Sequence, residues 1–407
     1  MNAKVEPLIS PLEMQTASVD IWQTKYQLKT KSGDAVDKTI EETYDRVARA
    51  LSSVETEAKR DQVYADFKWA LEHGVIPAGR IMSNAGAGEH KPATSTINCT
   101  VSGTVYDSMD DILLKNHEAG LTLKAGCGIG YEFSTLRPKG AYVAGAGATT
   151  SGPLSFMDVW DAMCRTIMSA GARRGAMMAT IMCTHPDVMK FIKAKRKVGR
   201  LNMFNMSVMA TDEFMNAVIH DQPWALCHEV APAEPVYAFM DKTKDEKVSM
   251  IGDKHIYEIV SARDLWDAMM DNTYNHAEPG VLFVDRINKM NNLWYIEDIS
   301  STNPCGEQPL PPYGACLLGS INLSRMVNNA FEKNASIDYK LIAETTRIAV
   351  RLLDSVIDSS NFPLPEQEAE AKFKRRMGLG ITGLADMLFM VNEKYGSTVS
   401  QKLAEEV

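Results

Sequence analysis

Ile97-Asn-Cys-Thr-Val101, then Asp110-Asp-Ile-Leu-Leu-Lys-Asn-His-Glu-Ala-Gly-Leu-Thr-Leu123, then Gly126-Cys-Gly-Ile-Gly-Tyr-Glu-Phe133 decide the fold class of this chain. A short apolar run, a helical stretch and a second apolar run cut by glycines read as strand, helix, strand. Downstream the theme repeats. Residues 145–152 form a Gly/Ala/Thr/Ser loop, residues 156–170 an amphipathic helix, and Arg173-Arg-Gly-Ala-Met-Met-Ala-Thr-Ile-Met-Cys183 a buried strand. A helix over 187–195, the apolar 201–210, a helix around 212–220 and a strand at 281–284 follow. This alternation predicts parallel strands joined by crossover helices, an α/β fold. Upstream, residues 1–38 are polar and weakly patterned. Thr39-Ile-Glu-Glu42 then reads as a capping box opening a helix with Tyr44, Val47, Ala48 and Leu51 on one face. The sequence therefore divides into a mainly helical region, 1–92, and an α/β region, 93–407. Late helices are expected over 339–358 and 383–392, with no obvious final strand before Val407 and no fixed-period repeat.

Composition removes several function classes. A chain of 407 residues with formal net charge -9 has no general polyanion-binding surface, which argues against nucleic acid as a partner. The N-terminus lacks a basic start followed by an apolar run, and nowhere do about eighteen apolar residues run together, so a soluble, cytoplasmic protein without a membrane anchor is expected. The 7 cysteines, at 99, 127, 164, 183, 227, 305 and 316, are odd in number and form no CxxC pair. They fit neither a secreted disulfide framework nor a zinc knuckle.

The chemistry concentrates in Ser301-Thr-Asn-Pro-Cys-Gly-Glu-Gln-Pro-Leu-Pro-Pro-Tyr-Gly-Ala-Cys316, which continues into Leu317-Leu-Gly-Ser-Ile-Asn-Leu323. Pro304 restricts the backbone and Gly306 frees it, so the stretch presents side chains as a strand or tight loop. Asn303, Cys305 and Glu307 alternate, and an extended stretch would carry amide, thiol and carboxylate on one side. A lone cysteine is more often a small buried hydrophobe; the neighbours make Cys305 a candidate for acid/base or radical work. None of the 8 histidines adjoins this loop, as a cysteine protease would want, and no histidine pair has the i, i+4 spacing of a zinc hydrolase. The glycines around Gly128 are by themselves a weak nucleotide signal. Lys193, Lys195, Arg196, Lys197 and Arg200 read as a solvated helix end, and Met177, Met178 and Met182 as core filler.

Taken together, Asn303-Pro-Cys-Gly-Glu307, Pro309-Leu-Pro-Pro-Tyr-Gly-Ala-Cys316 and Gly319-Ser-Ile-Asn-Leu323 resemble the finger-loop signature of the ribonucleotide reductase catalytic subunit, in the form frequent among adenosylcobalamin-dependent members. Ile97-Asn-Cys99, Ser134-Thr-Leu-Arg-Pro138, Arg173-Arg-Gly-Ala176, His185-Pro-Asp187, Glu278-Pro-Gly280 and Arg375-Arg-Met-Gly-Leu-Gly380 keep the family's order. The resemblance implies a ten-stranded α/β barrel of two half-sheets, a helical N-terminal region and a central finger loop. It implies that Cys305 carries a thiyl radical, that Glu307 takes the 3′-hydroxyl proton, that Asn303 orients these groups, and that Cys99 and Cys316 are the reducing dithiol. Asn98 and Gly128 then line the substrate site. Asp107, Arg137 and Arg174 match effector-binding positions; their bland alternatives are a helix N-cap for Asp107 and surface ion pairs for the arginines.

Further implications concern partners. A ribonucleotide substrate, a dNTP effector, a thioredoxin- or glutaredoxin-type reductant and a homodimer are expected. The radical source is adenosylcobalamin or, alternatively, a separate metal-containing subunit with no cofactor bound here, and no metal site is expected in this chain. Family barrels continue beyond the Gly378-Leu-Gly380 region into more strands and a phosphate loop, so a C-terminal complementing polypeptide, or a non-catalytic nucleotide-binding fragment, is a third expectation. Cys127 departs from the family by standing where glycine is usual; it and Cys164, Cys183 and Cys227 are expected to be structural.

Overall fold

The computed structural model describes residues 14–91, 95–167, 175–197, 199–234, 236, 238–239 and 247–407. Two compact units emerge. One comprises residues 1–98, 316–362 and 368–407, the other residues 99–315 and 363–367.

After a short helical stretch, residues 16–26, the first unit continues with the helices α1 (Ile40–Ser52) and α2 (Glu57–Glu72) and the strand β1 (Val75–Pro77). The expected capping box is present in shifted form. Thr39 Oγ1 accepts the N–H of Glu42 at 3.3 Å, while the Glu42 carboxylate accepts the N–H of Lys38, one residue earlier, at 2.6 Å. Val47, Ala48 and Leu51 bury the predicted face.

In the second unit, β2 (Cys99–Val101), α3 (Met109–Lys124) and β3 (Gly128–Glu132) realise the strand, helix, strand reading. They are followed by α4 (Pro153–Thr166), β4 (Met177–Met182), β5 (Phe204–Ala210) and β6 (Gly280–Phe283). All five strands run parallel in chain order, with Cys99 opposite Gly128, Ile129 opposite Met177, Met177 opposite Phe204 and Gly280 opposite Ser207. Parallel strands need crossover segments, and these bury one sheet face against helices. Tyr131, Phe133, Trp160 and Phe204 meet there edge to face, with Tyr131 5.8 Å and Phe133 5.6 Å from Trp160. Trp160 is fully buried, so truncating it to alanine would cost about 3–5 kcal/mol. A bulged antiparallel pair, Pro223–His228 with Lys254–Ser261, interrupts the parallel order.

On the sheet's other face lies a hairpin, β7 (Ser301–Thr302) paired with β8 (Pro309–Leu310). Its seat is built from absent side chains. A Cβ on Gly130 would drive into the carbonyl oxygen of Thr302, and one on Gly128 would stand 2.7 Å from Pro304 Cγ. Both glycines therefore permit close approach of backbone to backbone. Thr180, mid-strand in β4, donates from its hydroxyl to the Tyr131 and Ser300 carbonyls at 3.0 and 3.2 Å.

The chain then returns to the first unit through β9 (Ala315–Asn322), α5 (Tyr339–Ser359) and β10 (Met377–Thr382). Strand β9 pairs antiparallel with β1 and parallel with β10. Strand β10 and the helix Thr398–Glu406 lie where the sequence pattern showed neither.

Candidate active site

Residues 303–308 form the tip of the hairpin. Gly306 N–H donates to the Asn303 carbonyl at 3.0 Å, Asn303 N–H donates to the Gln308 carbonyl at 3.2 Å, and Asn303 Oδ1 accepts the Gln308 N–H at 2.9 Å. Gly306 sits at φ +81°, a conformation glycine adopts without strain. The alternating exposure expected of an extended stretch is only partly met: Asn303 is buried, while Cys305 and Glu307 are exposed. The reason is the turn, which folds the amide inward and leaves thiol and carboxylate at the opening.

What the tip converges on is Cys99. The buried Cys99 sulfur accepts from Asn303 Nδ2 at 3.2 Å and faces Glu307 Oε1 at 3.8 Å. These residues lie some two hundred positions apart in sequence, 208 for Cys99 and Glu307. A thiol between an amide donor and a carboxylate acceptor can lose or regain a proton locally. Cys305 is the exposed cysteine on this turn. By contrast, burial pushes the Cys164 and Cys183 thiols up, to about 11 and about 12, and raises that of Cys227, as suits structural cysteines. Cys127 is buried as well.

Cys316, second residue of β9, lies in the first unit, fully buried, with its S–H directed to the Leu317 carbonyl at 3.2 Å. Asn98 also belongs to that unit, and its Oδ1 is buried with no protein partner. A residue that sequence reasoning passed over, Tyr313, anchors the segment behind the hairpin. Held at φ +60°, it accepts from Lys115 Nζ at 2.5 Å and donates to Glu118 Oε2 at 3.3 Å, both on α3. Its ring closes on Gly103, where a Cβ could not fit.

Asp107 and Arg137 are brought together, with Nε to Oδ2 at 2.6 Å. The N-cap alternative for Asp107 does not hold. Ser108 caps α3, its Oγ accepting the Asp111 N–H at 3.2 Å. Arg174 lies outside the described residues. Asp107 also borders a cavity of about 530 Å³ beyond the carboxyl ends of β3, β4 and β5, with Glu132, His185, His228 and Lys254 among its walls. Burial raises the Glu132 carboxyl and lowers both imidazoles. Among the described residues no cluster of His, Cys, Asp and Glu could hold a metal ion, and no helix is long and apolar enough to cross a membrane.

A parallel α/β sheet with a thiol-bearing hairpin laid across it, in a chain that also carries a helical N-terminal region, defines a class. Residues 97–407 match the family described as "Ribonucleotide reductase, barrel domain", and residues 12–90 match "Ribonucleotide reductase, all-alpha domain". The chain belongs to the ribonucleotide reductase large-subunit family. Among its relatives, the vitamin B12-dependent ribonucleoside-diphosphate reductase of Thermoplasma acidophilum is 37% identical over 304 residues, covering 74% of this chain and 36% of that protein. The protein of the same name from Mycobacterium tuberculosis is 33% identical over 401 residues, 97% of this chain and 53% of the relative. The ribonucleoside-diphosphate reductase large subunit of variola virus is 26% identical over 363 residues, 85% of this chain and 45% of the relative. The chain thus spans about half the length, or less, of these curated relatives.

Proposed function

We propose that this chain carries the catalytic finger of a ribonucleotide reductase, which replaces a ribose 2′-hydroxyl by hydrogen to make deoxyribonucleotides. The observation that carries the reading is Cys99 held between Asn303 and Glu307 on the turn that exposes Cys305. In the proposed reaction the Cys305 sulfur radical takes the 3′-hydrogen, forming S–H as C–H breaks. Glu307 accepts the 3′-hydroxyl proton, and the 2′-hydroxyl leaves as water with a proton from Cys99. Cys99 and Cys316 together give two electrons and two protons and end as a disulfide, and Cys305 returns its hydrogen to C3′ and regains the radical. A thioredoxin- or glutaredoxin-type protein would then restore the dithiol.

Adenosylcobalamin is the radical source we favour, supported by the vitamin B12-dependent relatives. The fit rests on the exposure of Cys305, which leaves its S–H open to a bound radical donor. When bound, that cofactor supplies a carbon radical by homolysis of its cobalt–carbon bond. The large-subunit relative supports the second reading, a separate metal-containing subunit. A dNTP effector would contact Asp107 and Arg137. A homodimer is supported by α3, whose Met109, Leu113 and Leu114 side chains are exposed together.

The test is turnover of ribonucleoside di- and triphosphates by the chain together with any complementing polypeptide. Activity with adenosylcobalamin and no metal-containing subunit is expected, and strict dependence on such a subunit moves the radical source to the second reading. Cys305→Ser should remove turnover and leave dNTP binding intact; retained turnover ends the radical assignment.

A further inference from the structure

The hairpin tip is a β-turn with Asn303 first and Gly306 last, closed by the Gly306 N–H to Asn303 C=O bond. Pro304 and Cys305 are its central residues. The peptide between them, the Pro304 carbonyl and Cys305 N–H, is the group whose flip interconverts type I and type II turns. A type II turn needs φ above zero at the third residue, and Cys305 is not in that region, so the turn has the type I form, followed by Gly306 at φ +81°. A flip of this peptide would swing the Cys305 side chain to a new direction and impose a left-handed backbone on a non-glycine residue.

A side chain from the sheet meets this peptide. Asn205, second residue of β5, donates from Nδ2 to the Pro304 carbonyl at 2.6 Å. It is exposed where Phe204 and Met206 on either side are buried, so it faces the hairpin rather than the core. The first residue of the turn, Asn303, is held within the hairpin by Thr302 Oγ1 on its carbonyl at 3.0 Å and by its two bonds with Gln308, and its side chain also donates to Cys99. The central peptide is held from the sheet.

We propose that Asn205 is a positioning residue for Cys305: its amide pins the central peptide of the turn and thereby fixes the direction of the thiol. The importance of that direction rests on the radical reading above; the pinning does not. Asn205 touches no reacting atom and acts through the Pro304 carbonyl.

The experiment compares Asn205→Asp, which keeps shape and loses the donor, and Asn205→Ala with the wild-type protein. Amide hydrogen exchange at Gly306, whose N–H closes the turn, should quicken about tenfold in both, with the rest of β5 and the melting temperature unchanged. In the assembly that turns over, kcat should fall about a hundredfold with KM within about twofold, as for a misaimed reacting group. Wild-type exchange at Gly306 together with wild-type kcat in Asn205→Asp overturns the proposal, as does a kcat loss matched by a raised KM or a lowered melting temperature in both variants. Cys305→Ser separates the two ideas: it should stop turnover and leave Gly306 exchange as in the wild type. Quickened exchange in the Asn205 variants of a protein that shows no turnover supports the pinning and removes the radical reading alone.

Discussion

The two ends of the parallel sheet in the second unit treat their polar groups in opposite ways. At the amino ends, Cys305 and Glu307 are exposed on a turn beside the buried Cys99, so the exposed thiol and carboxylate can reach a ligand. At the carboxyl ends, Asp107 is paired with Arg137, and His185 uses both ring nitrogens, Nδ1 accepting the Asp187 N–H and Nε2 donating to the Leu136 carbonyl, each at 3.0 Å. Saturated groups stabilise, and unsaturated groups wait for a partner. Exposed reactive groups at the hairpin tip, rather than proximity to the cavity of about 530 Å³, therefore mark the candidate active site.

The largest effect should come from filling the hairpin's seat. Gly130→Ala places a methyl group against the Thr302 carbonyl, a backbone group that cannot swing aside as a side-chain end could. We expect a loss of about 3 kcal/mol in urea unfolding, at the upper end of overpacking costs, together with faster alkylation of Cys305 as the hairpin lifts. Gly128→Ala should cost less, because the obstructing atoms belong to the pucker of the Pro304 ring. Equal costs at the two glycines would mean that the hairpin does not rest on the sheet as described.

Much of this architecture was legible before the structure, and what was missed shares a cause. The strands around Cys99, Gly128 and Met177 announced themselves as apolar runs because parallel strands inside a sheet are buried on both faces, and the edge strand at Val281, only half-buried, was still marked by its Val-Leu-Phe run. The pair Pro223–His228 and Lys254–Ser261 did not; it is half exposed, bulged, and pairs across an intervening polar stretch. The helix Ala262–His276 was passed over although Ser261 caps it through the Asp264 N–H at 3.1 Å, a signal present in the sequence. At the candidate site, the finger motif singled out Cys305, Glu307 and Asn303, but the supports of the turn come from Gly130, Thr180 and Asn205. These contacts span about a hundred residues or more, such as 99 for Asn205 and Pro304, and leave no local period. The available hint was an amide, Asn205, set between Phe204 and Met206 in the mostly apolar Phe204-Asn-Met-Ser-Val-Met-Ala210.

A smaller effect follows from the saturated histidine. Burial lowers His185 from 6.5 to about 4, because a proton on Nδ1 would face the Asp187 N–H in a desolvated site; Asp187 acts in the opposite sense, and His228 and Lys190 reinforce the lowering. A base whose folded value is lowered binds fewer protons in the native state than in the unfolded chain. Its contribution is therefore complete above pH 6.5 and is lost as the pH falls toward about 4. Two to three pH units correspond to roughly 3 kcal/mol as an upper figure. Urea midpoints measured from pH 7 to pH 4.5 should fall, and His185→Gln should flatten that dependence; a variant with the wild-type slope would assign the pH effect elsewhere.

The smallest structural effect belongs to Asp107 and Arg137, and it sharpens the contrast between the sheet ends. Their side chains are 22% and 25% exposed, so solvent screens the pair. Arg137→Met should change stability by less than about 1 kcal/mol, since exposed pairs rarely contribute more. If the pair serves only the fold, nothing else should change. Under the effector reading it is also a preformed site in which the guanidinium can exchange Asp107 for a phosphate, a trade that suits a fork of donors. Arg137→Met should then weaken dNTP binding about tenfold or more in equilibrium dialysis while the unfolding midpoint barely moves. Unchanged dNTP affinity would return both residues to the role of a surface ion pair and leave the hairpin tip as the functional end of the sheet.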